Sequence, residues 1–130
     1  MNTSNESLIR EIIENWAEAI RSKDIPGILK HHAKDVLLFD VPEPLQSKGI
    51  DDYCASWDMF YDWYGVDGEF KVNELVIHAG SDIAFCHGII YCSGTENGKK
   101  SSYDIRLTIG LEMIDGEWTI VHEHHSAPAK

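Results

Sequence analysis

The sequence predicts an α+β domain in which helices come first and an antiparallel meander follows, and two observations carry that prediction. Apolar residues recur at helical spacing through the first third of the chain and again from Ile50 to Tyr64. The last sixty residues instead break into four strand-like runs divided by Gly80-Ser81, Asn97-Gly98 and Asp115-Gly116, dipeptides suited to tight hairpins. At 130 residues the chain is long enough for one core and too short for two, so a single domain over 1–130 is expected. A long curved sheet folded over helices leaves a concave pocket between the layers.

Leu8, Ile9, Ile12, Ile13, Trp16, Ala19 and Ile20 define one face of a helix over residues 4–22, behind a Thr3-x-x-Glu6 capping box. Asp24 as a cap and Pro26 in the first turn restart a short helix to about His32. Val36 to Val41 is apolar apart from Asp40 and is closed by Pro42 and Pro44, which reads as a buried strand. Ile50, Tyr53, Cys54, Trp57, Phe60, Tyr61 and Tyr64 give a third helix an aromatic stripe, ended by Gly65 to Gly68. Strands follow at about 69–78, 82–95, 99–114 and 117–126.

Two-residue turns fix a register that can be counted. Around Asp115-Gly116, Met113 meets Trp118, Leu111 meets Ile120, Ile109 meets His122 and Leu107 meets His124 on one apolar face. The opposite face then pairs Thr108 with Glu123 and Arg106 with His125. Around Asn97-Gly98, Tyr91 falls beside Asp104, Ile89 beside Arg106, His87 beside Thr108 and Phe85 beside Gly110. The count gathers two polar rows, His87/Thr108/Glu123 and Ile89/Arg106/His125, on one face. A single β-bulge would break it.

A net charge of −11 repels nucleic-acid phosphates and anionic lipid, so neither is an expected partner. There is no apolar run of the length a spanning helix needs and no basic, apolar leader, so the cytoplasm is the expected location. Cys54, Cys86 and Cys92 match no C-x-x-C spacing, and Cys86 and Cys92 stand about 20 Å apart on one strand at ~3.3 Å per residue; free thiols are expected.

Taken with this element order, the stretches Lys23-Asp24-Ile25-Pro26-Gly27-Ile28, His32 to Pro42 and Asp115 to Pro128 resemble the nuclear transport factor 2-like (NTF2-like) superfamily, in its SnoaL-like and ketosteroid-isomerase-like branch. The closing stretch is also similar to the calmodulin-dependent kinase association domain, an oligomerising member. The resemblance implies a cone, with N-terminal helices in the concavity of a curved, mostly antiparallel sheet. It implies a small organic ligand in an aromatic-lined pocket, with isomerase-, lyase- or hydrolase-type acid/base chemistry, or else a non-catalytic binding or assembly module.

By that resemblance Asp40 matches the general base of ketosteroid isomerases, and Glu123 matches a last-strand carboxylate of limonene-epoxide-hydrolase-like members. Trp16 stands where those isomerases carry a tyrosine donor, and Thr108 at or near their protonated aspartate, so an enolate would lack its usual donors. Read from residue type alone, Glu123 and His125 join Asp40 as candidate catalytic groups, and Arg106 is a clamp for an anionic group. His87, Thr108, Tyr91, Trp16, Trp57 and Tyr61 complete the candidate ligand site. The plainer reading makes Arg106, Glu123, Asp104 and the histidines a closed structural network, and the aromatic stripe simply core. His122 and His124 share a strand face with no third metal ligand nearby, so they are expected in packing or at an interface; no metal and no cofactor are expected. A homodimer is expected, because the helices cannot cover every apolar surface of so long a sheet.

Overall fold

The computed structural model describes residues 4–129. Its elements run α1 (Asn5–Arg21), α2 (Ile25–Leu29), β1 (His32–Phe39), β2 (Ser47–Lys48), α3 (Ile50–Tyr64), β3 (Glu69–Ala79), β4 (Ile83–Glu96), β5 (Lys99–Ile114) and β6 (Glu117–Ser126). The strands form one six-stranded sheet in the order β2-β1-β6-β5-β4-β3. All neighbours are antiparallel except β1 and β6, which run parallel.

α1 is capped by Ser4, whose hydroxyl accepts from the Ser7 amide at 3.1 Å. The capping box expected at Thr3 lies outside the described residues. The buried face of α1 carries Ile9, Ile13, Trp16, Ala17 and Ile20. Asp24 caps α2 as expected, accepting from the Gly27 amide, but the helix stops at Leu29 because Lys30 turns extended and His31 takes a φ of 67°. That early stop lets β1 begin at His32, four residues before the expected start. Both type I′ turns are present, with positive φ at Asn97, Gly98, Asp115 and Gly116.

The inner face of the sheet meets α1 and α3 through Val36, Leu38, Phe70, Cys86, Ile90, Leu107, Ile109, Leu111 and Ile120. The β4–β5 hairpin reaches over the end of α3, where Trp63 Nε1 donates to Ser101 Oγ at 2.8 Å. Gly94 lies under that indole, and a Cβ there would come within 2.5 Å of the ring.

The β4–β5 pairing is the one counted from Asn97-Gly98, with His87 opposite Thr108 and Ile89 opposite Arg106. The β5–β6 pairing starts as counted, through Met113/Trp118 and Leu111/Ile120, and then slips. Val121 is an extra residue, so Gly110 meets His122, Ile109 meets Glu123, Thr108 meets His124 and Leu107 meets His125. The expected pairs Thr108/Glu123 and Arg106/His125 therefore do not form. One inserted residue moves the rest of the strand to the opposite face, which is why Glu123 and His125 point into the core and His122 and His124 point out.

Candidate functional site

Glu123 is wholly buried at the centre of the inner face, and three elements supply donors to it. His32, first in β1, places Nε2 2.5 Å from Oε2. Tyr53 of α3 donates its hydroxyl to the same oxygen at 2.8 Å. His125, two residues along β6, places Nε2 2.9 Å from Oε1. Behind these, Trp16 of α1 donates Nε1 to the Tyr53 hydroxyl at 2.9 Å, and the His32 ring stacks on Tyr53 with centroids 4.5 Å apart. A buried carboxylate so supplied is satisfied rather than stranded.

The electrostatics follow from that geometry. Burial by itself raises the Glu123 carboxyl, but hydrogen bonds from His125 and His32 and the charge of both rings outweigh it and bring it down to about 2. Burial likewise works against a charged His125, yet the nearby Asp40, the hydrogen bond to Glu123 and the charge of both carboxylates hold the ring proton up to about 9. The Tyr53 hydroxyl is pushed well up by burial and by Glu123, so it serves as a donor. At neutral pH, His125 is an imidazolium between two carboxylates.

Its second carboxylate is Asp40, just past the end of β1. Asp40 Oδ1 lies 3.6 Å from His125 Nδ1 and accepts from the Val41 amide at 2.8 Å. Asp40 also lines a cavity of about 220 Å³ with Pro42, Glu43, Pro44 and Ser47 and with Asp52, Ala55, Ser56 and Met59 of α3. A single chain of contacts thus runs from an open cavity through Asp40 and His125 to the buried Glu123. A carboxylate there can accept a proton from a ligand while the imidazolium behind it stays fixed in place.

The three expected catalytic residues therefore meet, although on the opposite face of β6 from the one counted. The expected ligand residues do not all join them. His87, Thr108, Arg106 and Tyr91 lie on the outer face, where Arg106 Nε donates to Ser126 Oγ at 3.2 Å. Trp16 and Trp57 are buried and pack edge-on against each other and against Phe70 at 5.8–6.2 Å, filling the interior. Tyr61 is half-buried, donates to the Ile20 carbonyl at 2.5 Å, and is pushed up to about 12 by burial. Among the described residues, Trp57 Nε1 is buried without a hydrogen-bond partner. His32 and Tyr53 were not flagged by sequence reasoning. They reach Glu123 from 91 and 70 residues away, and no local pattern marks them.

All three cysteines are free; Cys86 is pushed up to about 12 and Cys92 to about 11 by burial, which leaves those two poor nucleophiles. Among the described residues there is no group of three metal-ligating side chains, and no helix is long and apolar enough to cross a membrane.

The family model described as a SnoaL-like domain matches residues 9–130. The chain belongs to the SnoaL-like family. An NTF2-like protein of unknown function from Pseudomonas putida KT2440 is 36% identical, with a TM-score of 0.87, over 100% of this SnoaL-like chain and 91% of that one. A ketosteroid isomerase-like protein from Erwinia carotovora atroseptica is 19% identical over 98% and 100% of the two chains, with a TM-score of 0.77. A proposed calcium/calmodulin-dependent protein kinase II association domain from Xanthomonas campestris is 21% identical over 98% and 91%, with a TM-score of 0.80. The last two likenesses concern the fold alone. No curated protein sequence matches the chain.

Proposed function

We propose that this SnoaL-like protein binds a small organic molecule at the cavity beside Asp40 and carries out acid/base chemistry there as a homodimer. The observation that supports this most is the line from the cavity through Asp40 to His125 and Glu123. Asp40 is the group that would meet the ligand and move a proton. His125 and Glu123 are positioning residues, because neither lines the cavity. Proton removal and return next to a carbonyl is the simplest acid/base reaction to test at Asp40, although the donors that ketosteroid isomerases offer an enolate are not matched here. Three free thiols suit a reducing, cytoplasmic setting.

A second reading, a non-catalytic assembly module, is favoured by the aromatic interior packed on itself. One experiment separates the two. Small ketones and enones are titrated into labelled protein while amide shifts of Ser47, Ala55 and Ser56 are followed, and hydrogen–deuterium exchange at the α-carbon of any binder is measured with parent and Asp40→Asn protein. The enzymatic reading expects shifts at those amides and exchange that falls by about 10² or more in the variant. Binding with equal exchange in both proteins leaves a binding protein, and no shifts with any compound leaves the module.

A further inference from the structure

The cavity beside Asp40 is one-sided in charge. Three of the side chains that line it are carboxylates, Asp40, Glu43 and Asp52, and among the described residues no lysine, arginine or histidine lines it. Arg106, the residue expected to clamp an anion, lies on the outer face of the sheet, and Lys48, next to Ser47 on β2, is exposed on the opposite side of its strand. His125 stands behind Asp40, but its charge is matched by Glu123. Neither Glu43 nor Asp52 has an ion-pair partner among the described residues. An anion is therefore repelled from this cavity, whereas a cation is drawn in by these groups and by the −11 of the whole chain.

Ser47 adds an observation that does not depend on charge. It is only 8% exposed, held inward by the pairing of β2 with Leu38 of β1, yet its hydroxyl meets no protein partner among the described residues and stays open to the cavity it lines. A buried hydroxyl ordinarily finds a partner. Ser56, which lines the same cavity from α3, is the ordinary case and donates to the Tyr53 carbonyl at 2.6 Å. The remaining wall is apolar, made by Pro42, Pro44, Ala55 and Met59. At about 220 Å³ the cavity is smaller than the ~300–1,000 Å³ that takes drug-sized molecules, so its ligand is compact and not polycyclic.

We propose that the cavity takes a small organic ammonium ion, whose N–H groups meet the carboxylates and the Ser47 hydroxyl oxygen while its carbon frame lies on Pro42, Pro44 and Met59. The proposal rests on the reading of this cavity as the ligand site and names the class of molecule the site selects. A bare metal ion fits less well, because among the described residues no three ligating side chains converge on one point. Spread carboxylates with an apolar wall between them suit an extended cation that has both a charged end and a body to bury.

Three probes with the same ring and different charge test this on the full chain at neutral pH: cyclohexylammonium, cyclohexanone and cyclohexanecarboxylate. Each is titrated into nitrogen-labelled protein at ~20 mM and ~200 mM salt, and dissociation constants are read from the amide shifts of Ser47, Ala55 and Ser56. The ammonium should bind on the order of 10-fold tighter than the ketone at the lower salt, with a narrower margin at the higher, and the carboxylate should leave those amides unmoved. Glu43→Gln/Asp52→Asn should bring the ammonium to within about 2-fold of the ketone, and Glu43→Gln alone should narrow the margin. Both side chains are exposed, so the fold should persist, and the amide spectrum itself reports it. A ketone or carboxylate that moves those amides and binds as tightly as the ammonium overturns the charge class and leaves the cavity as the ligand site. An ammonium preference that survives in the double variant overturns the role of the two carboxylates. Shifts at those amides from none of the three probes overturn the reading of the site and this inference together.

Discussion

β6 presents histidines to two surroundings that differ in almost every respect. His125 turns inward beside Glu123 and keeps its proton up to about 9, whereas His122 and His124 turn outward beside Phe39. The same residue type within four positions of one strand becomes a fixed charge on one face and a surface feature on the other. The difference lies in the carboxylates: Glu123 and Asp40 meet His125, while among the described residues none stands within ion-pair distance of His122 or His124. Burial alone would have made His125 neutral, so the partners and not the depth decide its state.

The largest effect expected from breaking this contrast is at Glu123. Glu123→Gln leaves the imidazolium of His125 buried against Asp40 alone, and losing one member of a buried pair costs about 3–5 kcal/mol. Urea unfolding at pH 7 would show it; a loss under 1 kcal/mol would mean that His125 is not charged there.

Next comes pH. His125 binds its proton more tightly folded, at about 9, than its ordinary 6.5, so its contribution is full below pH 6.5 and disappears as pH rises through 9. Glu123 works in the other sense: its contribution is present above its ordinary 4.5 and is lost as pH falls toward about 2. Thermal unfolding should therefore be highest near pH 5 to 6.5 and drop by about 4 °C or more by pH 9.5. A Tm flat from pH 6.5 to 9.5 would contradict the inner half of the contrast.

Tyr53→Phe is a smaller perturbation, removing one donor to Glu123 and the acceptor of Trp16 Nε1. We expect a loss of about 1–3 kcal/mol, read by the same unfolding curves. Smallest of all should be Arg106→Leu, which on the counted register would have stranded Glu123. On the outer face it gives up one bond to Ser126, and stability should stay within about 0.5 kcal/mol.

Much of the fold was legible because its signals are local. The bounds of α3, β5 and β6 follow from aromatic spacing and from Asn97-Gly98 and Asp115-Gly116, and the β4–β5 register follows from counting out of a two-residue turn. What was not legible is what depends on non-local pairing. β1 runs parallel to β6, no turn announces that contact, and the bulge at Val121 lies along the same seam. Asp40, Glu123 and His125 could be singled out by residue type and resemblance, but their companions His32 and Tyr53 could not, since only the folded sheet brings them near. The same bulge explains why Arg106, His87, Thr108 and Tyr91 fall away from the site: their own register was counted correctly, and it was their partner strand that slipped.

The most direct measurement is nitrogen-detected NMR of the His125 ring across pH 5 to 10. An imidazolium held between Asp40 and Glu123 should keep both ring protons through pH 8 and lose one with a midpoint near 9. A midpoint at or below 6.5, or a neutral ring at pH 7.5, would contradict the charged inner network on which the reading of this site depends.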